Sequence, residues 1–92
     1  MYQLSFEERF IKKLKEIIDY IALDNYLKAV EIKDFIFDYI KILKHYPLLW
    51  KRLANNYRQI VLPKYRYKIV YKINKQNKTI LIYSIRREQQ KF

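Results

Sequence analysis

Residues 65–73 read Tyr-Arg-Tyr-Lys-Ile-Val-Tyr-Lys-Ile. The odd-numbered positions of this stretch are all tyrosine or isoleucine, and three of the four even-numbered positions are lysine or arginine. A strict period of two is typical of a β-strand with one face on a hydrophobic core and the other face exposed. The stretch therefore predicts a strand with a cationic outer face, whose tyrosines belong to the core rather than to a surface on which bases stack.

Further strand candidates lie on both sides of this stretch. Residues 74–77, Asn-Lys-Gln-Asn, have the composition of a hairpin turn, because asparagine tolerates the left-handed backbone that such turns need. Residues 79–85 are apolar on both faces and are expected to form the more buried partner strand. On the other side, residues 57–62 predict a strand that Pro63 ends, and a polar tail follows over residues 86–92.

The first half of the chain has a helical period instead. Over residues 10–21 apolar side chains recur every three or four positions, which predicts an amphipathic helix, and Asp24 and Asn25 mark a break and a cap. A second helix is predicted over residues 26–45, where a wide apolar stripe indicates contact with both the first helix and a sheet. Pro47 ends it, because proline has no backbone N–H with which to continue a helix.

The predicted fold class is α+β, with an N-terminal two-helix hairpin packed on a three- to four-stranded antiparallel sheet. Residues 2–6 alternate in polarity and predict a short opening strand, and Ser5 with Glu8 has the spacing of a capping box for the first helix. The 92 residues are expected to form one domain. Residues 1–47 hold the short strand and the helices, and residues 48–92 hold the basic sheet and the tail.

The charge of the chain is confined to its second half. Residues 1–50 carry eight Lys/Arg and eight Asp/Glu, so they are neutral overall. Residues 51–92 carry twelve Lys/Arg and one acid, Glu88, which accounts for the whole net charge of +11. Such a field attracts polyanions or acidic protein surfaces, and it repels itself in the folded state. We therefore expect a polyanionic or acidic partner rather than a merely solvated face.

The composition excludes several kinds of site. With no Cys and one His, the chain has no ligand cluster for a metal and no Ser-His-Asp arrangement, and His45 is expected to end the second helix. With no Gly, it has no Gly-rich phosphate loop, and no cofactor is expected. The N-terminus is unlike a signal peptide, and no apolar run approaches the roughly 20 residues that cross a bilayer. A cytoplasmic location and no membrane contact are expected.

Five segments occur in a recognisable order: residues 19–22 (Asp-Tyr-Ile-Ala), 43–47 (Leu-Lys-His-Tyr-Pro), 58–62, 67–73 and 80–87. Together they resemble the RelE/ParE superfamily of bacterial type II toxins. The resemblance covers nearly the whole chain and rests on order, spacing and length rather than on one specific motif. It implies a toxin that is held inactive by a cognate acidic antitoxin and is released when that antitoxin is degraded.

The superfamily has two activities, and the residues of this chain match the pattern of one activity better than that of the other. RelE-like members cut mRNA in the ribosomal A site, and the resemblance places Arg58 and Lys68 at two of their basic positions. Ile60 stands where another basic residue is expected, and no His or Tyr follows residues 86–88. ParE-like members poison DNA gyrase without being nucleases, and their Arg-x-x-x-Leu-Pro segment is similar to residues 58–63. The resemblance slightly favours a gyrase inhibitor, with the mRNA endonuclease and a plain nucleic-acid-binding domain as alternatives.

The candidate site residues are mostly basic. Cleavage of RNA without a metal needs a group that takes the proton of the ribose 2′-OH, a proton donor for the leaving oxygen and cations that stabilise the phosphorane. For a RelE-like enzyme the resemblance implies Arg58, Lys68 and Arg87, and Tyr71 or Tyr83 is a candidate proton donor. The residues predicted to bind the target are Arg58, Lys64, Arg66, Lys68, Lys72, Arg86 and Arg87.

Overall fold

The computed structural model describes residues 1–88, so the predicted tail beyond Glu88 lies outside the described residues. The α+β class and the helical hairpin are confirmed. Within residues 1–88 no helix is long and apolar enough to cross a membrane. The elements are β1 (Gln3–Phe6), α1 (Glu8–Asp24), α2 (Tyr26–Ile42), β2 (Lys51–Ala54), β3 (Tyr57–Val61), β4 (Tyr67–Asn74) and β5 (Thr79–Arg87).

The sheet differs in two details from the prediction. Over residues 1–88 it has five strands, in the order β1-β5-β4-β3-β2, and β1 pairs with β5 in parallel while the other pairs are antiparallel. The period of two identifies a strand but carries no information on its direction or its partner, so the parallel pairing was not predicted. Strand β2 was missed because all four of its residues are exposed and it has no apolar alternation.

Strand β4 lies in the middle of the sheet and follows the predicted alternation. Tyr67, Ile69, Tyr71 and Ile73 are all buried, and the residues between them are partly or fully exposed. The tyrosine that precedes the strand, Tyr65, lies instead in the turn before it, where its ring packs edge-on against the ring of a helix α2 phenylalanine. The prediction of a core face and a polar face is therefore confirmed within the strand.

The helices cover one face of this sheet. Phe10 of α1 and Ile36 and Ile40 of α2 are at most 1% exposed and belong to one core cluster with the buried residues of β3, β4 and β5. We call the sheet face on this core the helix-side face. The opposite face, which we call the outer face, carries residues that are all at least partly exposed.

The ends of the helices are set by side chains and turns. The Asn25 backbone N–H donates to Ile21 O at the end of α1, and its side-chain Oδ1 accepts from Lys28 N at the start of α2. Helix α1 has no side-chain cap at Glu7, because Ser5 is in strand β1, so the capping-box prediction is wrong. Helix α2 ends at Ile42, earlier than predicted.

The hairpin turn between β4 and β5 is confirmed, but its residues have other roles than expected. Asn74 Oδ1 accepts a hydrogen bond from Asn77 N at 3.1 Å, so this side chain closes the turn. The left-handed residue is Lys78, with φ of 52°, and not an asparagine. Asparagine was expected to supply the backbone conformation, whereas here it supplies a side-chain acceptor.

Candidate functional site

The three residues implied for RNA cleavage do not share one face of the sheet. Arg58 lies opposite Tyr71 in the register of β3 and β4, and Arg87 lies opposite Tyr67 in the register of β4 and β5. Directly opposed residues point to the same side of a sheet, so both arginines are on the helix-side face. Lys68 is in the alternate phase of β4, on the outer face. The structure therefore does not bring the three together.

Arg58 and Tyr71 hold the segment that connects α2 to β2. Arg58 Nη1 donates a hydrogen bond to Trp50 O at 2.6 Å and approaches Leu48 O at 3.5 Å. The Tyr71 hydroxyl donates to Pro47 O at 2.7 Å. Two side chains from opposed positions of neighbouring strands thus fix three backbone carbonyls of residues 47–50.

The hydroxyl of Tyr71 stays protonated over the physiological range. Burial raises the pKa of Tyr71 to about 12, against the opposing effects of the Trp50 backbone and the positive charge of Arg58. The side chain is fully buried, and its proton is already donated to a carbonyl. This geometry makes Tyr71 a neutral structural donor.

Lys68, Lys72 and Arg86 lie on the outer face. Lys68 is opposite Arg86 in the register of β4 and β5. Lys72 follows Lys68 by four residues in β4, so its side chain is on the same face. Lys68 Nζ is 3.2 Å from Glu88 Oε1, and its side chain is only 21% exposed. Glu88 is the single acid of residues 51–88, so it compensates one of their eleven Lys and Arg charges.

Two tyrosines and two cations form a row on the outer face. The Arg9 guanidinium lies 4.5 Å from the ring centroid of Tyr83, whose ring meets that of Tyr57 edge-on at 5.6 Å. Lys72 Nζ lies 5.5 Å from the Tyr57 ring centroid. Arg9 was missed because its position in α1 indicates a solvated helix face. It reaches the sheet only because β1, just before it, pairs with β5.

The turn between β3 and β4 carries Lys64 and Arg66 in a strained backbone. Tyr65 and Arg66 have φ of 69° and 59°, a left-handed conformation that is costly for residues other than glycine. The Tyr65 hydroxyl donates to Glu31 Oε1 at 2.9 Å, and this hydrogen bond raises the pKa of Tyr65. Arg66 O accepts from Glu88 N at 2.7 Å, and Lys64 Nζ is 5.7 Å from the Tyr65 ring.

An open groove of about 910 Å³ lies between α1 and the ends of β4 and β5. Burial raises the pKa of Tyr67 in its wall, against the opposing charge of Arg87. The walls of the groove are apolar and aromatic, and four of its six charged residues are cationic. Its charged residues are Lys13, Glu16, Arg66, Arg86, Arg87 and Glu88.

Among residues 1–88 no group of three or more His, Cys, Asp or Glu side chains is arranged to hold a metal ion. The candidate functional side chains on the two faces are those of arginine, lysine and tyrosine. These groups bind phosphates or carboxylates through charge-assisted hydrogen bonds.

Known proteins share this architecture. A family model of the ParE toxin of the type II toxin-antitoxin system, parDE, matches residues 4–92. The chain belongs to the ParE toxin family. The resemblance to the RelE/ParE superfamily is thereby confirmed for this ParE-family chain. Among curated proteins, none matches its sequence significantly.

Solved structures show the same fold at low sequence identity. The ParE-family chain is similar to a chain of the chromosomal ParDE TA system from P. aeruginosa, with a TM-score of 0.82, 18% identity and coverage of 97% of this chain and 98% of that one. The isolated E. coli RelE toxin has a TM-score of 0.71 at 16% identity, with 99% and 88% covered. A chain of the intact E. coli RelBE toxin-antitoxin complex has a TM-score of 0.69 at 16% identity, with 98% and 100% covered.

Proposed function

We propose that this ParE-family toxin stops growth by binding DNA gyrase in the cytoplasm, and that a cognate acidic antitoxin neutralises it. The family assignment supports the toxin role. One of the structural relatives named above is a chain of the E. coli RelBE toxin-antitoxin complex, which supports an antitoxin partner. Most of the eleven Lys and Arg of residues 51–88 are exposed, on both faces of the sheet and in its turns, and an acidic antitoxin complements this excess of positive charge.

The observation that carries the gyrase proposal is the separation of Arg58 from Lys68. General acid–base catalysis needs its groups within hydrogen-bond reach of one reacting centre. Arg58 is on the helix-side face and is hydrogen-bonded to Trp50 O, while Lys68 is on the outer face beside Glu88. This arrangement favours inhibition by binding over cleavage of RNA by this set.

Induced expression in bacteria tests the target. We expect filamentation and DNA-damage signalling while cellular mRNA stays intact, and we expect the purified toxin to inhibit gyrase supercoiling in vitro. Replacing both Arg58 and Lys68 with alanine is expected to abolish toxicity and to leave antitoxin binding at least partly intact. Rapid arrest of translation with cleaved messages would contradict the gyrase proposal.

A RelE-like endonuclease is the second candidate, and the outer face is the observation that favours it. Lys68, Lys72 and Arg86 share this face with Tyr83, and all four side chains are at least partly exposed. Purified ribosomes programmed with a defined mRNA provide the test. Cleavage that is lost in Tyr83→Phe or Arg86→Ala would support this candidate, and uncleaved mRNA with the unaltered toxin would exclude it. A plain nucleic-acid-binding domain would be harmless in both assays.

A further inference from the structure

The segment between α2 and β2 exposes a cluster of apolar side chains. Tyr46, Leu48 and Leu49 are 64%, 53% and 59% exposed, and Leu53 in the following strand is 49% exposed. We call these four residues the loop patch. Exposed leucines are ordinary when they occur singly, but a cluster within eight consecutive residues indicates a surface that another molecule covers.

Side-chain hydrogen bonds hold part of the backbone of the loop patch. Arg58 binds the backbone carbonyls of Leu48 and Trp50, and Tyr71 binds that of Pro47. Trp50 is partly buried against the core, with its ring 6.2 Å from that of Tyr39, and its Nε1 has no acceptor among residues 1–88. A loop that is ordered before binding loses less conformational entropy when a partner docks, so this anchoring favours recognition.

The charges around the loop patch select its partner. No Asp or Glu occurs in the sequence between Asp38 and Glu88, and Lys44, Lys51 and Arg52 lie next to the loop patch in the chain. A second copy of the chain would bring the same cations together in a symmetric dimer, which is unfavourable. An apolar segment that carries carboxylates complements both the leucines and the cations.

We infer that the loop patch is a docking surface for an acidic apolar segment of the antitoxin. This inference rests on the antitoxin of the proposed function but does not depend on gyrase as the target. The side chains of Leu48 and Leu49 contact apolar residues of the antitoxin, and Lys51 and Arg52 pair with its carboxylates. Arg58 and Tyr71 act as positioning residues, which hold the loop patch without touching the antitoxin.

A double substitution, Leu48→Ser with Leu49→Ser, tests the docking surface. The affinity for the full-length cognate antitoxin of the proposed function, measured by isothermal titration calorimetry, is expected to fall by roughly 30-fold or more. The matched control is Leu23→Ser with Leu27→Ser at the far end of the helical hairpin, in a second exposed apolar cluster where the two leucines are 88% and 78% exposed. This second cluster lies beside Asp19 and Asp24 in the chain, so its charges disfavour an acidic partner. The control is expected to bind the antitoxin as the unaltered chain does.

The positioning role needs variants that leave the loop patch itself intact. Tyr71→Phe and Arg58→Ala keep every apolar side chain of the loop patch. Tyr71→Phe removes the hydrogen bond to Pro47 O, and Arg58→Ala removes those to Leu48 O and Trp50 O. We expect both to raise the dissociation rate of the antitoxin, and Arg58→Lys to restore part of the lifetime of the complex. Control variants Leu14→Ala and Ile32→Ala lower stability from elsewhere in the core, and they are expected to leave the dissociation rate unchanged.

Several outcomes would overturn the inference. Equal losses in the Leu48/Leu49 and Leu23/Leu27 variants would show an unspecific effect of exposed leucine. If the Leu48/Leu49 variant lost toxicity but kept its affinity for the antitoxin, the loop patch would bind the growth target and not the antitoxin. If the unaltered chain bound no antitoxin, both this inference and the antitoxin part of the proposed function would be wrong. If the chain bound the antitoxin but did not inhibit gyrase, only the proposed gyrase target would be wrong.

Discussion

Tyr71 combines a core position with a specific hydrogen bond. Its ring is fully buried in the phase of β4 that faces the helices, and its hydroxyl donates to Pro47 O at 2.7 Å. A phenylalanine would pack in the same place but would leave that carbonyl without its donor. The period of the sequence identifies the core position of Tyr71, whereas the role of its hydroxyl follows only from the loop that crosses above it.

Tyr71→Phe is expected to lower the free energy of unfolding by about 1–2 kcal/mol, because the part-buried Pro47 O loses its hydrogen-bond donor. Urea denaturation followed by circular dichroism measures the change. Tyr83→Phe is the control, since the Tyr83 hydroxyl makes no hydrogen bond within residues 1–88, and it is expected to have little effect. Equal stabilities for Tyr71→Phe and the unaltered chain would contradict the structural role of the hydroxyl.

The same variant gives a pH test. The pKa of Tyr71 is raised from 10 to about 12 in the folded state, so the folded state holds this proton more tightly than the unfolded state does. The stabilisation is fully present below pH 10 and is lost as the pH rises toward 12. The stability difference between the unaltered chain and Tyr71→Phe is therefore expected to shrink between pH 9 and pH 11.5. A constant difference across this range would contradict the shifted pKa.

At the scale of elements, the helical hairpin turns at a single residue. Asn25 lies between α1 and α2 with φ of −150°, outside the helical region, and it caps both helices. Its short side chain reaches Lys28 N, which no main-chain carbonyl of α2 can satisfy. The sequence predicted a cap here because asparagine after an amphipathic run is a common helix boundary.

Asn25→Ala is expected to lower the free energy of unfolding by about 1 kcal/mol, because the Lys28 N–H loses its acceptor. Asn25→Asp is the matched control, since a carboxylate also accepts this hydrogen bond, and it is expected to keep the stability. Chemical denaturation of the three proteins under one condition measures both changes. A larger loss in Asn25→Asp than in Asn25→Ala would contradict the capping role.

At the scale of the whole molecule, the main feature is that the net positive charge belongs to one half of the chain. The neutral helical half lies on one face of the sheet, and the basic half builds most of that sheet. The molecule measures 43 × 30 × 21 Å, so charges across it interact at low salt but are screened beyond roughly 8 Å at physiological salt. Self-repulsion therefore depends on ionic strength.

Adding sodium chloride from 10 to 150 mM is expected to raise the free energy of unfolding, because salt screens the repulsion within a chain of net charge +11. Lys75→Glu with Lys78→Glu changes two exposed turn residues and lowers the formal charge by four, from +11 to +7. This variant is expected to be more stable at low salt and less sensitive to added salt. Destabilisation of the unaltered chain by salt would contradict the prediction.

The sequence by itself determined the class of fold, the helical hairpin, the two faces of β4 and the position of the net charge. These follow from period and composition, which are local properties of the chain. Only the tertiary structure decided that β1 pairs in parallel with β5, that Arg58 points to the helix-side face and that Arg9 reaches Tyr83. Each of these depends on which distant segments become neighbours, and pairing of that kind is set by packing of the whole core rather than by any local pattern.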